Sequence, residues 1–255
     1  MRRTLFAALI LLMASAAPSA AQSNQARQRA LPIYREGWVL MRSESWANAA
    51  KAFQQAIDLD PEFEDAYYSL GRASMGLRDY DAAIAAYTKC EGLYRNASAK
   101  LFSNSQDAQR YRQDRLTEID ESIRQLQTGP QSQASAERLR QLQEYRRLIQ
   151  QNMSRGTNVS MSASVPAFVP LALGSAYFRS KRLADAEKSY KLATEIDPKA
   201  GEAWSNLAVV YFETGRVDEA DKAVKAAEHA GFKVHPGLKE DISKRKKEKG
   251  SGLEP

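Results

Sequence analysis

The sequence is poor in the residues on which most site chemistry is built. It holds one cysteine, Cys90, and two histidines, His229 and His235, in 255 residues. One cysteine excludes an intramolecular disulfide framework and a cysteine-ligated metal cluster. The two histidines stand six apart, a spacing that does not put both on one helical face, so they read as surface residues and no metal site is expected. Asn-Gly and Asp-Gly hairpin turns are absent, and few runs alternate β-branched with polar residues, so strands are not expected. The chain has no Gly-rich phosphate loop, no G-x-S-x-G and no H-E-x-x-H. An enzyme is therefore not expected, and no cofactor is implied. After the first 21 residues, no stretch approaches the ~20 apolar residues that span a bilayer.

Those first 21 residues read as an export signal. Arg2 and Arg3 precede the ten-residue apolar run Leu5 to Ala14, and Ser19-Ala20-Ala21 before Gln22 fits a small-residue cleavage site. The alternative is an uncleaved anchor. The expected location is the bacterial periplasm or the exterior, as a soluble chain. Export also reinterprets the charge. The formal +6 contains Arg2, Arg3 and a basic tail, 243–255, while residues 22–242 carry 30 basic and 29 acidic side chains. A nearly neutral body gives no basic face for nucleic acid. The tail Lys244-Arg245-Lys246-Lys247 leaves only a weak candidate contact with an anionic surface.

Internal self-similarity carries the most information. Gly37-x-x-Leu40 aligns with Gly71-x-x-Ser74, and Gly174-x-x-Tyr177 aligns with Ala208-x-x-Tyr211, each pair 34 residues apart. In the same frame stand Ala49, Phe53, Ala56 and Pro61, then Tyr67, Leu70, Ala83, Tyr87 and Cys90. The third copy has Leu173, Ala186, Tyr190, Ala193 and Pro198, and the fourth Trp204, Leu207, Ala220 and Ala227. This resembles the tetratricopeptide repeat (TPR) family, with its W-x2-L-G-x2-Y, A-x3-F and P positions. The departures are Glu36 for Leu, Pro170 for Trp and Val224 for Phe. The resemblance implies an all-α solenoid of helical hairpins, each with an A and a B helix. Asp60-Pro61 and Asp197-Pro198 end units, and Cys90 takes a small buried position of helix B. His235-Pro236 opens a capping helix with Val234, Leu238 and Ile242 on one face.

The expected organisation is a signal (1–21), repeats one and two (30–97), an insertion (98–153), a Ser-rich linker (154–166), repeats three and four (167–234), the capping helix (235–247) and a tail (248–255). Ser103-x-x-Gln106 opens a long helix to about Gln127, with Leu116, Ile119, Ile123 and Leu126 as a coiled-coil-like seam. Thr128-Gly129-Pro130 breaks it, and a second helix runs from about Ser132 to Met153, with Leu139, Leu142, Tyr145 and Ile149 on one side. The preferred reading is a long antiparallel hairpin, with two degenerate repeats or disorder as alternatives. Two repeats alone bury too little, so either repeat two stacks on repeat three with the hairpin projecting, or the hairpin base stacks between them. The second arrangement is preferred.

In this family the A helices line a concave groove that holds a partner segment. The positions implied are Tyr34, Trp38, Met41 and Arg42 in repeat one and Asp65, Tyr68, Arg72 and Met75 in repeat two. Repeats three and four supply Ser175, Arg179, Ser205, Asn206 and Val209. Aromatic and Arg anchors suit an interface. Tyr34 and Trp38 replace the Lys/Asn pair by which some members clamp a carboxyl terminus, which disfavours a chaperone-tail receptor. The expected function is a non-enzymatic scaffold or adaptor of the cell envelope that binds a protein or peptide. The alternative is a structural protein forming homo-oligomers through the 103–153 hairpin.

Overall fold

A computed structural model describes residues 20–98, 105–129, 132–153 and 165–250. Of the expected signal, only the two residues Ala20 and Ala21 fall within them, and of the expected Ser-rich linker only Val165 and Pro166. Ser103 and the last five residues lie outside. The described residues form eleven helices and no strand. Repeat one is α1 (Ala20–Arg42) and α2 (Trp46–Leu59), and repeat two is α3 (Glu64–Gly76) and α4 (Tyr80–Ser98). The insertion is α5 (Ser105–Thr128) and α6 (Gln133–Met153). Then follow α7 (Phe168–Arg179), α8 (Leu183–Ile196), α9 (Gly201–Glu213), α10 (Val217–His229) and α11 (Pro236–Gly250).

One steric pair organises each repeat. A Cβ on Gly37, Gly71 or Gly174 would lie 2.5–2.7 Å from the ring of Phe53, Tyr87 or Tyr190, sixteen residues later. The A helix thus lays bare backbone on a flat ring of its B helix, and each of these three rings is at most 2% exposed. The fourth repeat changes both members together. Ala208 and Val224 stand at the equivalent positions in one buried cluster. An alanine methyl needs the room that an aromatic ring would take, so Val224 follows from Ala208 rather than weakening the repeat.

The turns repeat as well. Glu44, Arg78, Lys181 and Gly215 all have positive φ, between 54° and 76°. Each sits after an A helix, where the next amide reaches back to the last turn: Ser45 to Leu40, Asp79 to Ser74, Arg182 to Tyr177 and Arg216 to Tyr211. This is the Schellman closure, which prefers glycine at the left-handed position. Asp60 and Asp197 end the B helices and accept the amides of Glu62 and Lys199 at 3.0 Å, which turns the chain into the next unit. Pro170 stands in the first turn of α7, where its missing N–H leaves no helical bond unmade.

Helix α4 packs directly on α7, so repeat two stacks on repeat three and no hairpin stands between them. This corrects the arrangement preferred from the sequence. The reason lies in the faces of α5. It buries Leu116 and Ile119 but also Arg112, Arg115, Glu118 and Glu121. A surrogate repeat must offer apolar faces on both sides. The hairpin instead lies over the A-helix side of the solenoid, which has charges to match. Buried Leu116, Ile119, Leu142, Tyr145 and Ile149 join Tyr68, Tyr87, Phe168 and Leu173 in one cluster linking both repeat pairs. Val165, at the end of the expected linker, belongs to that core. At the other end Val234 and Ile242 are buried and Leu238 packs beside them, so α11 covers the last repeat. Lys239 and Lys246 pair with Glu228 and Asp221 at 2.8 Å, tying part of the basic tail to α10.

Glu187 of α8 bridges to Arg216 before α10 and to Lys191 at 2.7 Å. The hydrogen bond from Arg216 holds its carboxyl down at about 2, against an ordinary 4.5. A lowered carboxylate stabilises the fold above its unfolded value and loses that contribution as pH falls. The stability difference between wild type and Glu187→Gln is expected to be full at about pH 5 and to vanish towards about pH 2, by thermal melts. A second prediction concerns the steric pair. Gly174→Ala alone costs ~1–3 kcal/mol by overpacking, and adding Tyr190→Val recovers part of it, by denaturant titration of the two single variants and the double variant.

Candidate functional site

The site is built where the hairpin meets the A helices, and buried charge positions it. Arg27, in the part of α1 that precedes repeat one, forms ion pairs with Asp60, Glu64 and Glu118 and donates to the Glu62 carbonyl at 2.8 Å. Its guanidinium lies 4.3 Å from the centre of the Phe63 ring. Arg115 of α5 donates to Glu64 at 3.1 Å and to Glu118 at 2.6 Å, and is 2% exposed. Three elements thus meet in one network: the start of α1, the junction between repeats one and two, and α5. Burial pushes the Glu64 carboxyl up, but Arg115 and Arg27 outweigh it and hold it below the ordinary value. For Glu118 burial prevails over the same two arginines and raises it. Further out, Arg42 donates to the Gln125 side chain at 2.5 Å, and Arg140 of α6 pairs with Asp197 at 2.5 Å.

The implied groove positions divide into three groups. Tyr34 and Asp65 are interior residues. Tyr34 packs on Phe53 and Phe63 and accepts from the Ser69 hydroxyl, and burial pushes its phenol up. Asp65 accepts from Tyr94 at 2.9 Å beneath the hairpin. Trp38, Met41, Arg42, Tyr68, Arg72, Met75 and Ser175 come together around one cleft of about 730 Å³. Arg179 is exposed, and Ser205, Asn206 and Val209 are half-buried; these four do not line that cleft. Met41 is buried at its edge, and Ser175 accepts from the Tyr190 hydroxyl at 3.2 Å. Cys90 is fully buried and its thiol is pushed well up by burial, so it is no nucleophile.

The opposite wall comes from residues the repeat pattern does not specify. Gln125, Leu126 and Thr128 at the end of α5, with Ser135 and Arg138 of α6, face the A helices. The Arg138 guanidinium stacks 3.9 Å from the centre of the Tyr68 ring and 4.7 Å from that of Phe168. Phe168 meets Tyr68 edge-on at 5.0 Å. The signal for Arg138 in the sequence was only its place in a Gln/Arg-rich helix, which reads equally as a solvated face.

Paired helices in a 34-residue frame, closed by repeated turns and capped by α11, define an all-α repeat solenoid. Sequence models of the tetratricopeptide repeat match residues 34–98 and 177–235, and the chain belongs to that family, whose repeats mediate protein–protein interaction. Among solved structures it is similar to PilW, a type IV pilus biogenesis factor, at 16% identity over 90% of this chain and 87% of that one, with a TM-score of 0.35. It is similar to YrrB, a TPR protein with an unusual peptide-binding site, at 16% identity over 84% and 93%, with a TM-score of 0.26. The TPR domain of P58(IPK) follows at 17% identity over 86% of this chain and 65% of that one, with a TM-score of 0.31. Comparison with curated proteins finds no match. No helix among the described residues is long and apolar enough to cross a membrane.

Removing Arg115 leaves Glu64 and Glu118 buried with one cationic partner fewer, Arg27 still pairing with both. Arg115→Ala is expected to lower stability by ~3–5 kcal/mol in denaturant titration. The faster hydrogen exchange that accompanies it concentrates in α5 and α6 rather than in α9 and α10.

Proposed function

We propose that the chain is an interaction adaptor of the bacterial cell envelope, binding a segment of a partner protein in the cleft between the hairpin tip and the A helices. The observation that carries this reading is the cleft itself. Side chains from the A helices of repeats one, two and three converge there, and the hairpin leaves the space open. A cleft of about 730 Å³ lies within the usual range of ligand sites. Trp38, Tyr68 and Arg72 supply the side-chain types on which interfaces concentrate their energy. The family's mode of action supports a protein partner, and the leader-like first 21 residues support export.

Self-assembly through the hairpin has less to rest on. That reading needs a free apolar stripe, and Leu116, Ile119, Leu142, Tyr145 and Ile149 are buried within the chain. Leu148, at 38%, is the exposed large apolar side chain on the described hairpin.

Two measurements test the proposal. Affinity purification of the full chain from envelope fractions is expected to recover a partner that Ala172→Trp, which fills the cleft, fails to recover. Equal recovery would remove the cleft from the reading. Amino-terminal sequencing of the exported chain is expected to begin at Gln22, and a chain retaining Met1 would contradict cleavage there.

A further inference from the structure

The arginines of this protein mostly have carboxylates beside them. Arg27, Arg115, Arg140, Arg146 and Arg216 each reach at least one. Two do not. Arg72 and Arg138 line the same cleft, and among the described residues neither takes part in an ion pair or a hydrogen bond. The Nε of Arg138 is buried and meets no acceptor. Both guanidiniums lie over aromatic rings instead, Arg138 over Tyr68 and Phe168, and Arg72 at 5.0 Å from the centre of the Trp38 ring. The cleft lining also includes the carboxylates of Glu44 and Glu202.

Two cations in one partly desolvated cleft are costly without an anion. Burial, and then the charge of Arg138, hold the Arg72 guanidinium below its ordinary value. Contact with the rings restrains each guanidinium without supplying an acceptor for its N–H groups. Planar, pre-oriented edge donors match a carboxylate, which only accepts. The cleft is far larger than one carboxylate, and Met75, Leu171 and Ala172 line it with apolar surface. That surface suits the chain that carries the acid.

We propose that Arg72 and Arg138 form an anion site for an aspartate or glutamate side chain of the partner segment, so that the cleft selects acidic peptides. This rests on the docking reading above and names its ligand class. The site differs from a groove made by repeats alone, because Arg138 comes from the inserted hairpin. Specificity is therefore written jointly by the solenoid and the insertion.

The test is selection of a random-sequence peptide display library on the full chain. Binders are then titrated against wild type, Ala172→Trp, Arg72→Gln, Arg138→Gln, Arg138→Lys and Arg140→Gln. The expected binders are lost on Ala172→Trp and enriched in Asp and Glu. They weaken about tenfold or more on either Gln substitution in the cleft, and less on Arg138→Lys. Arg140→Gln, which removes an equal charge already paired with Asp197, leaves them unchanged. Circular dichroism melts confirm that each variant is folded. Binders that need the cleft but show no acidic enrichment, or ignore both Gln substitutions, would overturn the anion site and leave the docking reading standing. Binders indifferent to Ala172→Trp, or no binders at all, would overturn both.

Discussion

The structure depends on one buried network of charges. Asp60, Glu64 and Glu118 are brought together where two repeats and the inserted hairpin meet, and Arg27 and Arg115 hold them there. Any one of these carboxylates, buried without its cations, would oppose folding strongly. Together they require the start of α1, the repeat junction and α5 to be assembled at the same time. The apolar cluster around Tyr145 and Phe168 supplies most of the attraction between hairpin and solenoid, being non-directional. The charges make it specific, because a hairpin slid along the groove would keep apolar contact but strand the ions. We regard that division of labour as the reason the hairpin has one seat.

Much of the fold could be read in the sequence, because the repeat imposes local rules. Helix periodicity, Asp-Pro junctions and the 34-residue spacing each point to the same hairpins, and the capping helix follows from an unpaired apolar face. Periodicity also marks Leu116, Ile119, Leu142 and Tyr145 as inward-facing. It says which face of a helix is apolar and not which element covers it, so the seat of the hairpin was not legible. Glu64 and Glu118 look like ordinary helix-surface acids, and only the tertiary arrangement makes them interior. Residues 20–29 carry no repeat signature, yet Arg27 stands among them. The compensated change from Gly and aromatic to Ala and Val in repeat four needs the ring-to-backbone distance before it reads as a rule.

The same arrangement reshapes the groove that the family resemblance implies. Asp65 lies beneath the hairpin, Tyr34 is packed among its neighbours, and Arg42 reaches across to Gln125. The chain therefore occupies much of its own A-helix face, and what remains is the cleft at the hairpin tip. Of the groove positions in repeats three and four, Ser175 lines the cleft while Arg179, Ser205, Asn206 and Val209 stand apart from it, so the proposed docking involves repeats one to three and the insertion. The repeats supply rings and backbone geometry, and the hairpin supplies the second wall and Arg138.

The central claim is that α5 and α6 lie in the solenoid as part of one core rather than projecting from it. Native-state hydrogen exchange of the full chain, followed by mass spectrometry, tests it most directly. Amides around Leu116 to Ile119 and Leu142 to Ile149 are expected to exchange as slowly as those of α3 and to open together with them. Hairpin amides that exchange orders of magnitude faster than α3, with the solenoid unaffected, would contradict the account.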